Sequence, residues 1–344
     1  MGRVPSTGAL MESDFERFKE GLLGRVGEVP VNQISAHLPD AMQMRVGIPH
    51  RGGKLAVHAF KSGYPVMVSA NAFFNPKTGQ FDIPHHSPLQ DLDVALDSAG
   101  FVAMQTFKAK GRQAGPGGFF PWSYGAFLEL SVLLRPSWYS AMDLCCEPDA
   151  TDCGIHTDWR IRATATMLES MLQILESWQA EYAKEVSAVM VANDLKPPVP
   201  ICQGWELDDY LRSLDLTMEV WDRHSWLALP TLMGLGSVCR RDLHHPKYGL
   251  FAILDGLEGR LPNGTKLHLF GVKGAALDRV KMYPFVASCD SMAFDYGARR
   301  RAHQAGVSNT MEHRAASMSN WMQAATARME PQAGDQFRLA FHFA

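Results

Sequence analysis

Short apolar runs alternate with helical stripes along most of this chain, and that alternation leaves few folds open. Strand-like runs fall at residues 66–70, 93–97, 140–144, 199–203, 229–235, 267–272 and 285–290. Each is apolar almost throughout, as a strand must be when both faces of its sheet are covered. Helical patterns lie between them. Met167, Met171, Ile174, Leu175, Trp178 and Tyr182 recur at spacings of three and four and form one apolar stripe, with Thr157-Asp158 ahead of it as a cap. Leu207, Leu211, Leu214, Met218 and Trp221 form a second stripe, and residues 249–257 a shorter one. Such alternation implies parallel pairing. The spacing therefore predicts an α/β fold, a (β/α)8 TIM barrel, with residues 337–343 as the candidate eighth strand. An open, doubly wound sheet is the competing layout.

A chain of 344 residues suits one such barrel. We assign residues 1–64 to an N-terminal extension packing on the barrel and 65–344 to the barrel domain with its inserted loops. Segment 108–120, with Gly111, Gly115, Gly117 and Gly118, is long for a routine connection and reads equally as a loop over the site or as a surface excursion. The formal net charge of -3 excludes a broadly basic surface, so contacts with phosphates would come from a local patch. No apolar run is long enough to span a membrane. The first 22 residues are polar and carry Glu12, Asp14, Glu16 and Glu20, unlike a signal peptide. The expected location is the cytoplasm, that of the host for a phage-encoded chain. Six cysteines beside apolar runs read as reduced thiols. Cys145, Cys146, Cys153 and His156 form a candidate zinc group, although two adjacent cysteines suit one tetrahedral ion poorly.

Active groups of a barrel of this kind sit at the C-terminal ends of its strands. Those ends here read Asp97-Ser98-Ala99-Gly100-Phe101, Met142-Asp143-Leu144-Cys145-Cys146, Cys202-Gln203-Gly204, Gly234-Leu235-Gly236-Ser237, Leu269-Phe270-Gly271 and Cys289-Asp290-Ser291. One aspartate after a strand equally well caps the following helix. Three of them, with an amide and glycine-lined turns, at one mouth point to chemistry. Gly234 and Gly236 lack the third glycine and the lysine of nucleotide phosphate loops. They suit a flat ring lying against the backbone.

These motifs resemble the tRNA-guanine transglycosylase superfamily. Asp97-Ser98-Ala99-Gly100-Phe101 is similar to its Asp-Ser-Gly-Gly-Phe signature, and Asp290-Ser291-Met292-Ala293-Phe294, running on to Ala298-Arg299, to its nucleophile segment. Ile201-Cys202-Gln203-Gly204, Gly234-Leu235-Gly236-Ser237-Val238 and Leu269-Phe270-Gly271-Val272 resemble its remaining strand ends, in family order. The family's Cys-x-Cys-x2-Cys…His zinc motif after the nucleophile is absent, since no cysteine follows Cys289. The details are closest to the bacteriophage enzymes that insert 7-deazaguanines into DNA.

That resemblance implies a pentosyltransferase that exchanges guanine in DNA for a free 7-deazaguanine base such as 7-cyano-7-deazaguanine. Asp290 would be the nucleophile, forming a covalent link to the nucleic acid, and Asp97 the acid and base. Ser98, Phe101, Asp143, Gln203, Gly236, Ser237, Phe270 and Gly271 would bind the purine. Within that set, Asp143 reads N1-H and the exocyclic amine, and Phe101 and Phe270 sandwich the ring. Arg240, Arg241, Arg299, Arg300, Lys108 and Lys110, with Arg112 and Arg301, are the candidate phosphate contacts. No cofactor is implied. A helper protein or a homodimer fits the resemblance. The alternatives are the same chemistry on tRNA, a non-catalytic nucleic-acid-binding subunit, and an unrelated barrel enzyme such as a sugar-phosphate isomerase.

Overall fold

The computed structural model describes residues 41–49, 53–83, 87–148, 154–332 and 335. Ten strands appear among them: β1 Gln43–Ile48, β2 Val66–Ser69, β3 Phe74–Asn75, β4 Gln80–Phe81, β5 Val94–Asp97, β6 Trp138–Tyr139, β7 Ile201–Cys202, β8 Leu232–Leu235, β9 Lys266–Leu269 and β10 Val286–Ser291. β3 and β4 pair as a small antiparallel hairpin. The other eight form one sheet in the order β6-β5-β2-β1-β10-β9-β8-β7, every neighbouring pair parallel. The two edges approach each other at one parallel bridge, Ser140 to Val199. There Val199 N–H donates to Tyr139 O at 2.7 Å and Ala141 N–H to Val199 O at 2.8 Å. The fold is α/β and TIM-like, with a last seam that is pinned at that point and not fully closed.

One strand was not expected. β1 lies in the middle of the sheet, between β2 and β10, although it falls in the segment assigned above to an extension. Met44, Val46 and Ile48 are buried, but Gln43, Arg45 and Gly47 interrupt them, so no apolar run is visible in the sequence. Arg45 is 5% exposed and reaches Asp93, the residue before β5, with two bonds of 3.0 Å. A buried guanidinium paired bidentately with a carboxylate is tolerable where an unpaired one is not. β1 completes the eight strands without the run 337–343, which lies outside the described residues.

The long stripe is the helix Thr157–Tyr182, and the second is Leu207–Asp222, packed against it. His156, not Thr157, occupies the cap position, and it makes no side-chain capping bond. Asp158 pairs instead with Arg162 at 2.6 Å and with Arg212 of the second helix. Segment 108–120 is tied down, not an open excursion. Gln113 N–H donates to Gly118 O and Gly115 N–H to Phe120 O, both at 2.7 Å, and Phe119 and Phe120 are buried. Among the described residues no helix is long and apolar enough to cross a membrane.

Candidate active site

β5 ends on Asp97, and the chain turns sharply there. Ala99 adopts a left-handed conformation with φ of 69°, and its N–H donates to Asp97 Oδ2 at 3.2 Å. The helix Gly100–Lys110 starts at once. Gly100 lies against the Asp143 segment so closely that a Cβ would fall 2.4 Å from Asp143 O. Backbone cannot yield as a flexible side chain can, so this approach requires glycine. Gly100→Ala is expected to displace the Asp143 backbone and to cost roughly 1–3 kcal/mol of stability as an overpacking change, measured by urea unfolding.

A buried chain of hydrogen bonds joins four strand ends. Ser98 Oγ donates to Asp143 Oδ1 at 2.6 Å, and Gln203 Nε2 donates to Asp143 Oδ2 at 2.5 Å. Ser237 Oγ donates to Gln203 Oε1 at 2.6 Å and accepts from Cys146 N–H at 2.6 Å. Ser237 holds a left-handed φ of 57°, and a Cβ on Gly236 would lie 2.1 Å from Gln203 Nε2. Burial pushes the Asp143 carboxyl above the usual range, while the bonds from Ser98 and Gln203 pull it back. Ser98, Asp143, Gln203 and Ser237 were all expected at the site and the structure brings them together, whereas Cys146, expected only as a zinc candidate, joins them through its backbone.

The two other carboxylates converge on the same mouth. Burial raises the pKa of Asp97 to about 7, and the charges of Asp143 and Asp290 add to the rise. Asp290, 13% exposed, accepts from Gly271 N–H at 2.7 Å on Oδ1. Gly271 was expected against the base. Its N–H holds this carboxylate, and its φ of 77° lies in the left-handed region that favours glycine. His268, absent from the expected site, is fully buried on β9 with Nε2 3.4 Å from Asp290 Oδ1. In the sequence it is one polar residue inside an apolar strand, a pattern that equally marks a bonded core histidine.

Phe101 and Phe270 are both half-buried, so neither is plain core. The Arg240 guanidinium covers the Phe101 ring at 4.8 Å. Phe270 meets His268 edge-on at 4.7 Å. Arg240 is exposed, as a phosphate contact must be. Arg241 is not. It is fully buried and donates to the carbonyls of Ser237, Trp205, Tyr248 and Gly204 and to the Tyr210 hydroxyl. Its donors are directed inward, so it braces the Gly236-Ser237 turn and cannot reach DNA. Arg241→Ala would strand several buried carbonyls and is expected to cost roughly 3 kcal/mol or more, measured by urea unfolding.

Among the remaining cations, Arg299 pairs with Asp295 at 2.7 Å yet stays 59% exposed, and Arg300 is exposed beside it. Arg301 donates to Ser317 at 2.9 Å. Lys108 and Lys110 are exposed at the end of the helix Gly100–Lys110. The zinc candidate finds little support in the chemistry of its donors. Cys145 and Cys146 are buried, and burial pushes both thiols up, Cys146 to about 12, which disfavours the thiolate that binds metal. Cys153 lies outside the described residues, among which no cluster of three or more metal-ligating side chains forms.

No curated protein matches the chain. A family model does match, over residues 61–335, a span that contains every strand end described above. The chain belongs to that family, DpdA, or DeoxyPurine in DNA protein A, the DNA 7-deazaguanine transglycosylases related to tRNA-guanine transglycosylase.

Proposed function

We propose that this protein exchanges guanine in DNA for a 7-deazaguanine base by double displacement at C1′, with Asp290 as nucleophile and Asp97 as proton carrier. The observation that carries the reading is the convergence of three strand-end carboxylates on one mouth, one of them poised at a pKa of about 7. Glycosyl transfer with retention needs two carboxylates in different roles. Asp290 attacks C1′ and forms an ester as the C1′–N9 bond breaks. The electron pair of that bond leaves on guanine, which takes the proton of Asp97. The incoming base then gives its N9 proton to Asp97, attacks C1′ and releases the Asp290 carboxylate. Proton and glycosyl group are each transferred twice, and the route calls on no cofactor.

Asp143 and Gln203, bonded to each other at 2.5 Å, sit side by side at the mouth and offer a carboxylate acceptor and an amide to the edge of a purine. Asp143 accepts from N1-H and the exocyclic amine, and Gln203 with the Gly236-Ser237 backbone holds O6. Phe101 and Phe270 flank the ring. A base in duplex DNA must be flipped out to reach this mouth. Arg240, Arg299, Arg300, Lys108 and Lys110 supply phosphate contacts without reading sequence.

The test uses duplex DNA and, separately, tRNA, each labelled in guanine, with unlabelled 7-cyano-7-deazaguanine. Label release from DNA alone is the expected result. Release from tRNA alone would contradict the substrate assignment. Binding of DNA without release would point to a non-catalytic subunit or a missing helper protein.

A further inference from the structure

His268 stands beside the proposed nucleophile but has no part in the two-carboxylate scheme. It is fully buried on β9, one strand from Asp290, in register with Ser288 of β10. Ser288 Oγ lies 2.8 Å from Nδ1. Burial favours the neutral ring, and the nearby Arg45 guanidinium pushes the same way, while Asp290 opposes them. A neutral imidazole carries one N–H. The tautomer that turns a donor toward Asp290 carries the hydrogen on Nε2 and has Nδ1 accepting from the Ser288 hydroxyl. Nε2 is buried and makes no hydrogen bond among the described residues, while Asp290 Oδ1 stands 3.4 Å from it. Trp138 at 4.8 Å and Phe270 at 4.7 Å pack edge-on against the ring.

The geometry points to His268 as a positioning residue: its Nε2-H and the Gly271 N–H form a two-donor cradle for Asp290 Oδ1, leaving Oδ2 as the attacking oxygen. The inference rests on the reading of Asp290 as nucleophile. Gly271 N–H already donates to Oδ1 at 2.7 Å, and no hydrogen bond among the described residues reaches Oδ2. When Oδ2 bonds to C1′, Oδ1 becomes the ester carbonyl and still accepts both donors. When the incoming base breaks the ester, the returning negative charge meets donors already aimed at it, with no reorganisation. The cradle therefore acts most on the second displacement, where the carboxylate is the leaving group.

The experiment measures single-turnover guanine release and base insertion in full-length His268→Phe and His268→Gln, with Asp290→Ala as control. Phe keeps the ring and removes the donor, whereas Gln keeps a donor at the Nε2 position. The expected result is base insertion slowed by about 10²-fold in His268→Phe, recovery to within about tenfold of the parent in His268→Gln, and unchanged DNA affinity. Equal losses in both variants, or a normal rate in His268→Phe, would overturn the cradle. If His268→Phe does not fold, Ser288→Ala replaces it. That change frees the tautomer and is expected to slow insertion about tenfold, and an unaltered rate would overturn the cradle equally. Guanine release that survives in Asp290→Ala would bring down the nucleophile assignment itself. Loss in Asp290→Ala beside a normal His268→Phe would remove only the cradle.

Discussion

Asp290→Asn is expected to lower guanine release by about 10⁴-fold or more, the scale seen when a covalent nucleophile is removed. The substitution is nearly isosteric, so the Gly271 N–H can still find an acceptor at the Oδ1 position. What disappears is the charge and the attacking oxygen. DNA affinity should change little, because the proposed phosphate contacts lie on other elements: Arg240 after β8, Arg299 and Arg300 on the helix Ala293–Gln304, and Lys108 and Lys110 on the helix Gly100–Lys110. Single-turnover release from labelled DNA, with binding measured by anisotropy on the same samples, separates the two. A large loss of release at unchanged affinity is the expected pattern. A parallel loss of both would mean that Asp290 serves binding.

Asp97→Asn should cost about 10²- to 10⁴-fold, the usual contribution of a positioned acid or base. The pH dependence is more specific. With a pKa of about 7, Asp97 is protonated in acid, so guanine release in the parent should fall as pH rises through about 7. Attack by the incoming base needs the carboxylate and should fall in the opposite direction. Overall exchange then peaks near neutrality, and Asp97→Asn should lose both limbs. The same shift has a sign for stability. The folded state keeps the Asp97 proton between the ordinary value of 3.8 and about 7, where the unfolded chain releases it. Stability therefore declines across that window as pH rises. Asp97→Asn should be the more stable protein at pH 8, by roughly 1–3 kcal/mol, and indistinguishable from the parent at pH 4. Urea unfolding at the two values checks it. A variant less stable at pH 8 would show that the native site prefers the charged carboxylate.

Much of this site was legible because parallel strands covered on both faces read as apolar runs, and their C-terminal ends then stand out. Asp97, Gln203 and Asp290 were found in that way. Asp143 was found in the same way, although the run 140–144 is not a strand: the β6 ladder stops at Tyr139 and the carboxylate rides on an irregular, buried segment beyond it. β1 escaped because a strand interrupted by a buried Arg45 shows no continuous run. Arg240 and Arg241 are neighbours in sequence with opposite fates. The burial of Arg241 is set by carbonyls from residues 204, 205, 237 and 248, which only the folded chain assembles. The bond from Gly271 N–H to Asp290 was not legible, because the direction of one N–H depends on backbone dihedrals that composition does not reveal. His268 was invisible for a related reason: its meaning lies in the strand register that sets it beside Ser288 and Asp290.

The most direct measurement traps the intermediate. The protein is incubated with guanine-containing DNA and no incoming base, denatured, digested and analysed by mass spectrometry. The account predicts a DNA adduct on Asp290 that is absent in Asp290→Asn and disappears when 7-cyano-7-deazaguanine is added before denaturation. An adduct on another residue, or guanine release that persists in Asp290→Asn with no adduct at all, would contradict it.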